Sequence, residues 1–488
     1  MQSKLFIAGE FVDAVDGATF QSIDPHDGSV IADVAEAGPE DVDRAVAAAV
    51  AAARGWGRTA AADRGRLLLR LADAIEADAT DLALLETRDT GHPLRDTLGL
   101  DVPRTAATFR YFGGMADKFQ GTVVPVEQGF LDYVVPEPLG VVGQIVPWNF
   151  PVMFTSWKMG PALAAGNCVV MKPSEITPLS ALRVAELAAE VGFPDGVINM
   201  VPGFGVRAGQ RIVEHPDIAK ISFTGSTNVG RSIARTAAET LKQVHLELGG
   251  KGANIVFEDT NIPAAVNGTA FGIFHNQGQA CIAASRLIIH ESIKDEFMDQ
   301  LVALARSIRL GDPKQKSTEM GPLTSALHRD RVLSYLELAG DSGGTVITGG
   351  GAPDVPELST GYYIEPTIVE AQPGARVAQE EVFGPFMVVH TFTTDDEALA
   401  IANGVAYGLG GGLWTQNLSR AHRVARDLRA GMVWVNAYKR VNPGSPFGGV
   451  GSSGYGREMG FDAMREYSEP KATWINVDAQ LPAYYPRG

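Results

Sequence analysis

From Val141 onward the chain repeats one unit: a short, wholly apolar run, a stretch of helical spacing, then another apolar run. A strand with both faces buried reads as such an unbroken run, and a parallel neighbour is reached only by a crossover of a dozen or more residues. Runs at 141–146, 168–171, 197–201 and 218–223 alternate with helical stretches at 177–191, 206–214 and 227–240. This alternation predicts a parallel sheet with helices on both faces. A second series runs from Ala253 to about Trp434, with strands at 253–257, 286–289 and 432–435 and helices at 261–274, 293–308 and 419–429. The fold class is therefore α/β with two such bodies, and Gly249-Gly250-Lys251-Gly252 between them reads as a hinge. Upstream, 40–54 reads as a helix with acidic residues at its start, stopped by Gly55, and 62–88 as one long helix.

A length of 488 residues accommodates more than one core. The net charge of −16 would be repelled by nucleic acid and by anionic membranes, so neither is expected as a partner. No segment approaches the roughly 20 apolar residues of a spanning helix. The N-terminus Met1-Gln-Ser-Lys-Leu-Phe lacks the form of a secretory signal, so a cytoplasmic location is expected. Two cysteines, Cys168 and Cys281, cannot build a disulfide framework, and their surroundings do not spell a metal site.

Five segments carry chemistry. Cys281 follows Asn276-Gln-Gly-Gln-Ala in a loop after a helix ending near His275; a free thiol, with a pKa of about 8.5, needs activation to act as a nucleophile at neutral pH. Glu247 lies between two leucines before the glycines, and a desolvated carboxylate has its pKa raised toward that of a general base. Asn149 is pinned between Pro147 and Pro151 after a strand, where its amide can meet developing negative charge. Gly225-Ser226 leads from a strand into a helix start that offers bare N–H groups to a phosphate, and Gly203-Phe-Gly205-Val-Arg-Ala-Gly209 is a weaker glycine pattern. Lys172 and Glu175 close a further strand and suit sugar hydroxyls. Each segment alone has a plain structural alternative: a buried small residue, a salt bridge, a rigid turn, a solvated loop.

Taken in order, Pro147-Trp-Asn-Phe-Pro, Lys172-Pro-Ser-Glu, Phe223-Thr-Gly-Ser-Thr, Leu246-Glu-Leu-Gly-Gly-Lys, Gly278-Gln-Ala-Cys, Glu380-Glu-Val-Phe-Gly-Pro and Pro446-Phe-Gly-Gly resemble the aldehyde dehydrogenase superfamily over nearly the whole chain. The separation of Glu247 and Cys281, 34 residues, also suits it. The resemblance implies an NAD(P)-dependent oxidation of an aldehyde to the acid. Cys281 would form a thiohemiacetal and then a thioester, Asn149 would hold the oxyanion, and Glu247 would activate the hydrolytic water. A glutamate at 247 argues against coenzyme A as acyl acceptor.

The same resemblance implies cofactor contacts from Trp148, Lys172, Glu175, Gly225, Ser226, Glu381 and Phe383, and a substrate tunnel of Phe150, Phe154, Trp157, Ile282 and Phe447, with Ala280 beside the thiol. Lys158 also matches a family position. NAD is favoured over NADP because Glu175 would repel a 2′-phosphate. Lys439 and Arg440 read as a solvated basic turn near the tunnel mouth, with a distal substrate carboxylate as the alternative.

A Rossmann-like coenzyme domain is expected from 1–119 and 139–249, a catalytic α/β domain from 250–449, and a small β bridging element from 120–138 and 465–488, whose edge strands would build a homodimer or homotetramer. Two rivals remain at this level: a Cys/Glu thioesterase or acyltransferase without nicotinamide, and a non-catalytic structural protein of the same fold.

Overall fold

The apolar runs become strands because their β-branched residues are buried on both sides of a sheet. In a computed structural model that describes residues 2–341, 343–478 and 485, the first large sheet takes the order Gly454–Tyr455, Gln243–Glu247, Lys220–Thr224, Val141–Ile145, Cys168–Lys172, Ile198–Met200, Leu5–Ile7, Glu10–Val12. The strands from Gln243–Glu247 to Ile198–Met200 are parallel. Every residue of Val141–Ile145, Cys168–Lys172 and Lys220–Thr224 is buried. Strand order reverses between Val141–Ile145 and Lys220–Thr224, so their carboxyl ends open the crevice in which such sheets take ligands.

The second sheet runs Thr345–Thr348, Thr367–Glu370, Phe386–Phe392, Arg286–His290, Ala253–Val256, Gly410–Trp414, Met432–Val435. All its pairings are parallel except that of the edge strand Thr345–Thr348. Gly410–Trp414 has no propensity for a strand; its glycines are there for space. A Cβ at Gly411 would lie 2.7 Å from Leu428, and one at Gly412 would lie 2.6 Å from the Tyr438 ring. The Rossmann-like and catalytic α/β architecture expected from the sequence is the one observed.

A third sheet pairs Phe130–Pro138 with Ser468–Asn476 on one side and Thr122–Val124 on the other. Tyr133 faces Thr473 and Val134 faces Ala472, so the two segments expected to pair between subunits pair first with each other. Phe130–Pro138 is consequently a central strand, and the free edges belong to its neighbours. The chain end at 479–484 and 486–488, assigned from sequence to the bridging element, lies outside the described residues.

Three local expectations are corrected. The first helix spans Pro39–Arg58 and continues through Gly55 and Gly57, because burial of Trp56 offsets the helix cost of the two glycines, about 1 kcal/mol each. The long helix over 62–88 is two, Ala61–Ala77 and Ala79–Thr90, broken at Asp78 (φ −90°, ψ 7°). Arg183 clamps the Asp78 carboxylate at 2.7 and 2.9 Å and fixes the break. The stretch 249–252 is no loose hinge: all of it is buried, with Cβ positions at 249 and 250 that would fall 2.4 Å from Glu381 and 2.1 Å from the Cys281 carbonyl. Its glycines exist for close approach between the two sheets. Among the described residues no helix is long and apolar enough to cross a membrane.

Candidate active site

Cys281 lies between helix Ile262–Phe274 and strand Arg286–His290, at the end of a left-handed run. Asn276 and Gln277 have φ of 54° and Gly278 has φ of 70°. Gly278 must be glycine, since a Cβ there would fall 1.9 Å from the Gly384 carbonyl. Side-chain amides offset the strain: Asn276 donates to the Asn149 carbonyl at 2.8 Å, Gln277 donates to the Gly91 carbonyl at 2.9 Å, and Gln279 accepts from the Thr324 N–H at 3.0 Å. These loop-pinning residues were missed from sequence, although three amides in the four residues before Ala280 were the available signal.

Pro147-Trp-Asn-Phe-Pro151 leaves Val141–Ile145 and starts helix Pro151–Ala164 with proline at its first position. That helix is buried on every side, so its aromatic residues cannot turn to solvent. Phe150, Phe154, Trp157, Ala280, Ile282 and Phe447, all expected in a tunnel, line one cavity with Cys281. The cavity is small, with about 40 Å³ of free space. Trp157 packs on Phe447 at 4.8 Å and Phe154 on Trp157 at 5.3 Å, edge to face.

Asn149 is buried, and its Nδ2 donates to the Gln279 carbonyl at 2.9 Å. One of its two N–H groups is thereby committed to the thiol loop and the second is left over. Glu247 is 1% exposed, with Oε1 3.4 Å from His245 Nε2 and Oε2 without a hydrogen-bond partner among the described residues. Burial, then the neighbouring Glu458, hold its carboxyl well above the usual range, against the opposing charges of Lys158 and Arg457. Lys158 itself is fully buried, paired with Glu458 and bonded to Ser222 at 3.0 Å. Desolvation and the charges of Glu247 and Glu381 push the Cys281 thiol up, while the N–H groups of Ile282 and of Cys281 itself pull it down.

The expected cofactor residues collect along the crevice. Trp148 and Phe383 meet edge to face at 5.3 Å, both beside His328, whose Nε2 lies 2.7 Å from the Phe383 carbonyl. Phe383 has φ of 65°. Glu381 accepts from the Gly250 N–H at 2.8 Å, and desolvation pushes its carboxyl up to about 7. Lys172 is buried, with Nζ donating to the carbonyls of Pro173 and Gly203 at 2.9 and 2.7 Å and to Glu175 at 3.1 Å. Ser226 is exposed and caps helix Thr227–Ala238, accepting from the Val229 N–H at 3.4 Å. Its hydroxyl thus completes the helix start, leaving neighbouring N–H groups toward the crevice; Gly225 precedes it where a Cβ would strike the Phe223 ring at 2.4 Å.

The basic turn is corrected. Lys439 is 5% exposed and lines the cavity, while Arg440 faces solvent. Arg104 and His275 line it too, and neither was singled out from sequence: Arg104 has no neighbouring motif, and His275, just before the Cys281 motif, was read only as a helix end.

Such a centre, a thiol in an apolar cavity with a carboxylate acting on it by charge and an amide bonded to its loop, has relatives. The aldehyde dehydrogenase family matches residues 11–473. The chain belongs to that family. It is 45% identical over 480 residues to the mitochondrial aldehyde dehydrogenase of Homo sapiens, covering 97% of this chain and 92% of that protein. To the NADP/NAD-dependent aldehyde dehydrogenase PuuC of Escherichia coli it is 44% identical over 484 residues, covering 98% and 97%. Among solved structures, PnpE of Pseudomonas sp. WBC-3 in complex with nicotinamide adenine dinucleotide matches with 64% identity, 100% of both chains and a TM-score of 0.99.

Proposed function

We propose that this chain is an NAD-dependent aldehyde dehydrogenase that releases a free carboxylic acid. The observation that carries the reading is Cys281 in an aromatic cavity, with the charges of the buried Glu247 and the half-buried Glu381 acting on its sulfur. A thioesterase has no use for the exposed helix start at Ser226 or for the Lys172–Glu175 pair, and a structural protein has no use for a buried, unpartnered Glu247 oxygen.

The crevice suits a dinucleotide. Gly209, where a Cβ would stand 3.6 Å from Lys172, and Gly225 leave it open beside the ribose-type contacts of Lys172 and Glu175. The start of helix Thr227–Ala238 would take the pyrophosphate, Glu381 the second ribose, and Trp148 and Phe383 would wall the ring. When bound, the nicotinamide supplies a hydride acceptor.

Cys281 loses its thiol proton to solvent as Sγ attacks the aldehyde carbon, and its backbone N–H together with the uncommitted Asn149 N–H holds the oxygen as it becomes negative. Loss of hydride from that carbon leaves a thioester on Cys281. Glu247 then takes a proton from water, the hydroxide adds to the thioester carbon, and the acid departs as the Cys281 sulfur is released. Aromatic side chains around the cavity exclude bulk water until that step.

The division into coenzyme, catalytic and bridging segments at 1–119 with 139–249, 250–449, and 120–138 with 465–488 follows the same reading. The exposed Trp474 and Val123 on the third sheet support a homodimer or homotetramer. A cytoplasmic location is part of the same proposal. NADH formation from a panel of aliphatic, aromatic and carboxylated aldehydes tests the activity, with Cys281→Ala as the inactive control; absence of turnover with every aldehyde overturns it.

A further inference from the structure

Two cations face an otherwise apolar cavity. Among the described residues no carboxylate lines this cavity; Glu247 and Glu381 act on the Cys281 sulfur from outside its walls. Lys439 is buried, and among the described residues the one hydrogen bond of its Nζ is to the His275 carbonyl at a marginal 3.4 Å. Its backbone is held at φ 53°, a left-handed conformation uncommon for a long side chain. Burial lowers its pKa to about 7.

Arg104 comes from a separate element, helix Val102–Met115, and its guanidinium has no hydrogen-bond or ion-pair partner among the described residues. Asp101, one turn earlier, acts on it by charge but is engaged by His92 Nδ1 at 2.6 Å. Removing two cations from bulk water without counter-charges is unfavourable unless an anion arrives with the ligand. Cys281 would act on Lys439 by charge only when ionised, and its thiol is pushed up, so it is no standing counter-charge. Arg104 feels Asp101 and Arg440, not the sulfur, and lacks such a partner.

We propose that Arg104 and Lys439 form an anion subsite in the Cys281 cavity, so that the preferred aldehyde carries a carboxylate at its far end, joined by an apolar spacer. The proposal rests on the activity assigned above. Phe150, Phe154, Trp157 and Phe447 would cover the spacer, while the planar guanidinium suits a carboxylate's two oxygens.

The test uses the full chain with NAD and compares kcat/KM for adipate semialdehyde and its methyl ester. The wild type is expected to favour the acid by at least about tenfold, the scale of a charge-assisted hydrogen bond. Arg104→Gln and Lys439→Met should each cut that ratio by about tenfold, and Arg104→Lys should restore part of it. Independently of turnover, adipate should slow alkylation of Cys281 by iodoacetamide in the wild type and not in Arg104→Gln.

Equal use of acid and ester by the wild type overturns the proposal. So does an Arg104→Gln or Lys439→Met variant that slows both substrates alike, because a merely structural role does that. If the ester and simple aldehydes turn over without any preference for the acid, the dehydrogenase reading stands and only the subsite falls. If no aldehyde reduces NAD, the activity falls, and the adipate protection experiment still decides the subsite.

Discussion

Replacing Gly250 by alanine probes the joint on which the thiol rests. A Cβ at 250 would stand 2.1 Å from the Cys281 carbonyl oxygen, whereas real Cβ atoms essentially never come closer than 3.0 Å. One backbone or the other must therefore retreat by at least about 0.9 Å, the difference between those distances. Neither is an adaptable side chain: the Cys281 loop is held by amides, and the Gly250 N–H is bonded to Glu381. A displacement of about 1 Å at a reacting centre costs about 10²-fold in rate, or roughly 2.7 kcal/mol of transition-state stabilisation. Steady-state NADH formation by Gly250→Ala should thus show kcat/KM down by about two orders of magnitude, with near-ultraviolet circular dichroism unchanged. Gly114→Ala, at a helical position where a Cβ meets nothing within 4 Å, serves as the control and should match the wild type. A Gly250→Ala enzyme within about threefold of wild-type kcat/KM would refute the argument that this glycine is required by the approach of the two backbones.

Other outcomes follow from the same site. Glu247→Gln should retain a first-turnover burst of NADH near one per active site while steady-state kcat falls by about 10²–10⁴-fold; loss of the burst itself would remove the acid from deacylation. Because Glu247 must be ionised to take a proton and its carboxyl is raised by burial and Glu458, activity should fall as the pH drops through a value well above the ordinary glutamate range. An acid limb at the ordinary value of about 4.3 contradicts this. Glu175→Ser should raise kcat/KM for NADP relative to NAD by about tenfold, since a carboxylate beside the ribose repels a 2′-phosphate; an unchanged ratio places the discrimination elsewhere.

The strands were legible wherever burial on both faces left an unbroken apolar run, as at Val141–Ile145 and Lys220–Thr224. Gly410–Trp414 was not, because its glycines answer to Leu428 and Tyr438, contacts that exist only after folding. The break at Asp78 depends likewise on Arg183, more than 100 residues away in sequence. Around the site, ordered motifs gave Cys281, Asn149, Glu247 and the aromatic cavity wall. Lys439 looked solvated, since a Lys-Arg turn carries no mark of which member points inward. Arg104 had no motif at all and became visible only when helix Val102–Met115 met the cavity. Glycines 249, 250 and 252 suggested freedom in sequence and proved to be contact points, a distinction that needs the neighbour's coordinates.

Glu247 ends a strand of one large sheet, whereas Cys281 hangs on a loop of the other, with the buried glycine stretch as their covalent link. Neither half carries a complete reaction centre. Heating should therefore silence turnover as soon as the two layers part, while the helical signal of each half persists. Enzymatic assay and spectroscopy would then report two different melting events, and the earlier one would belong to the seam.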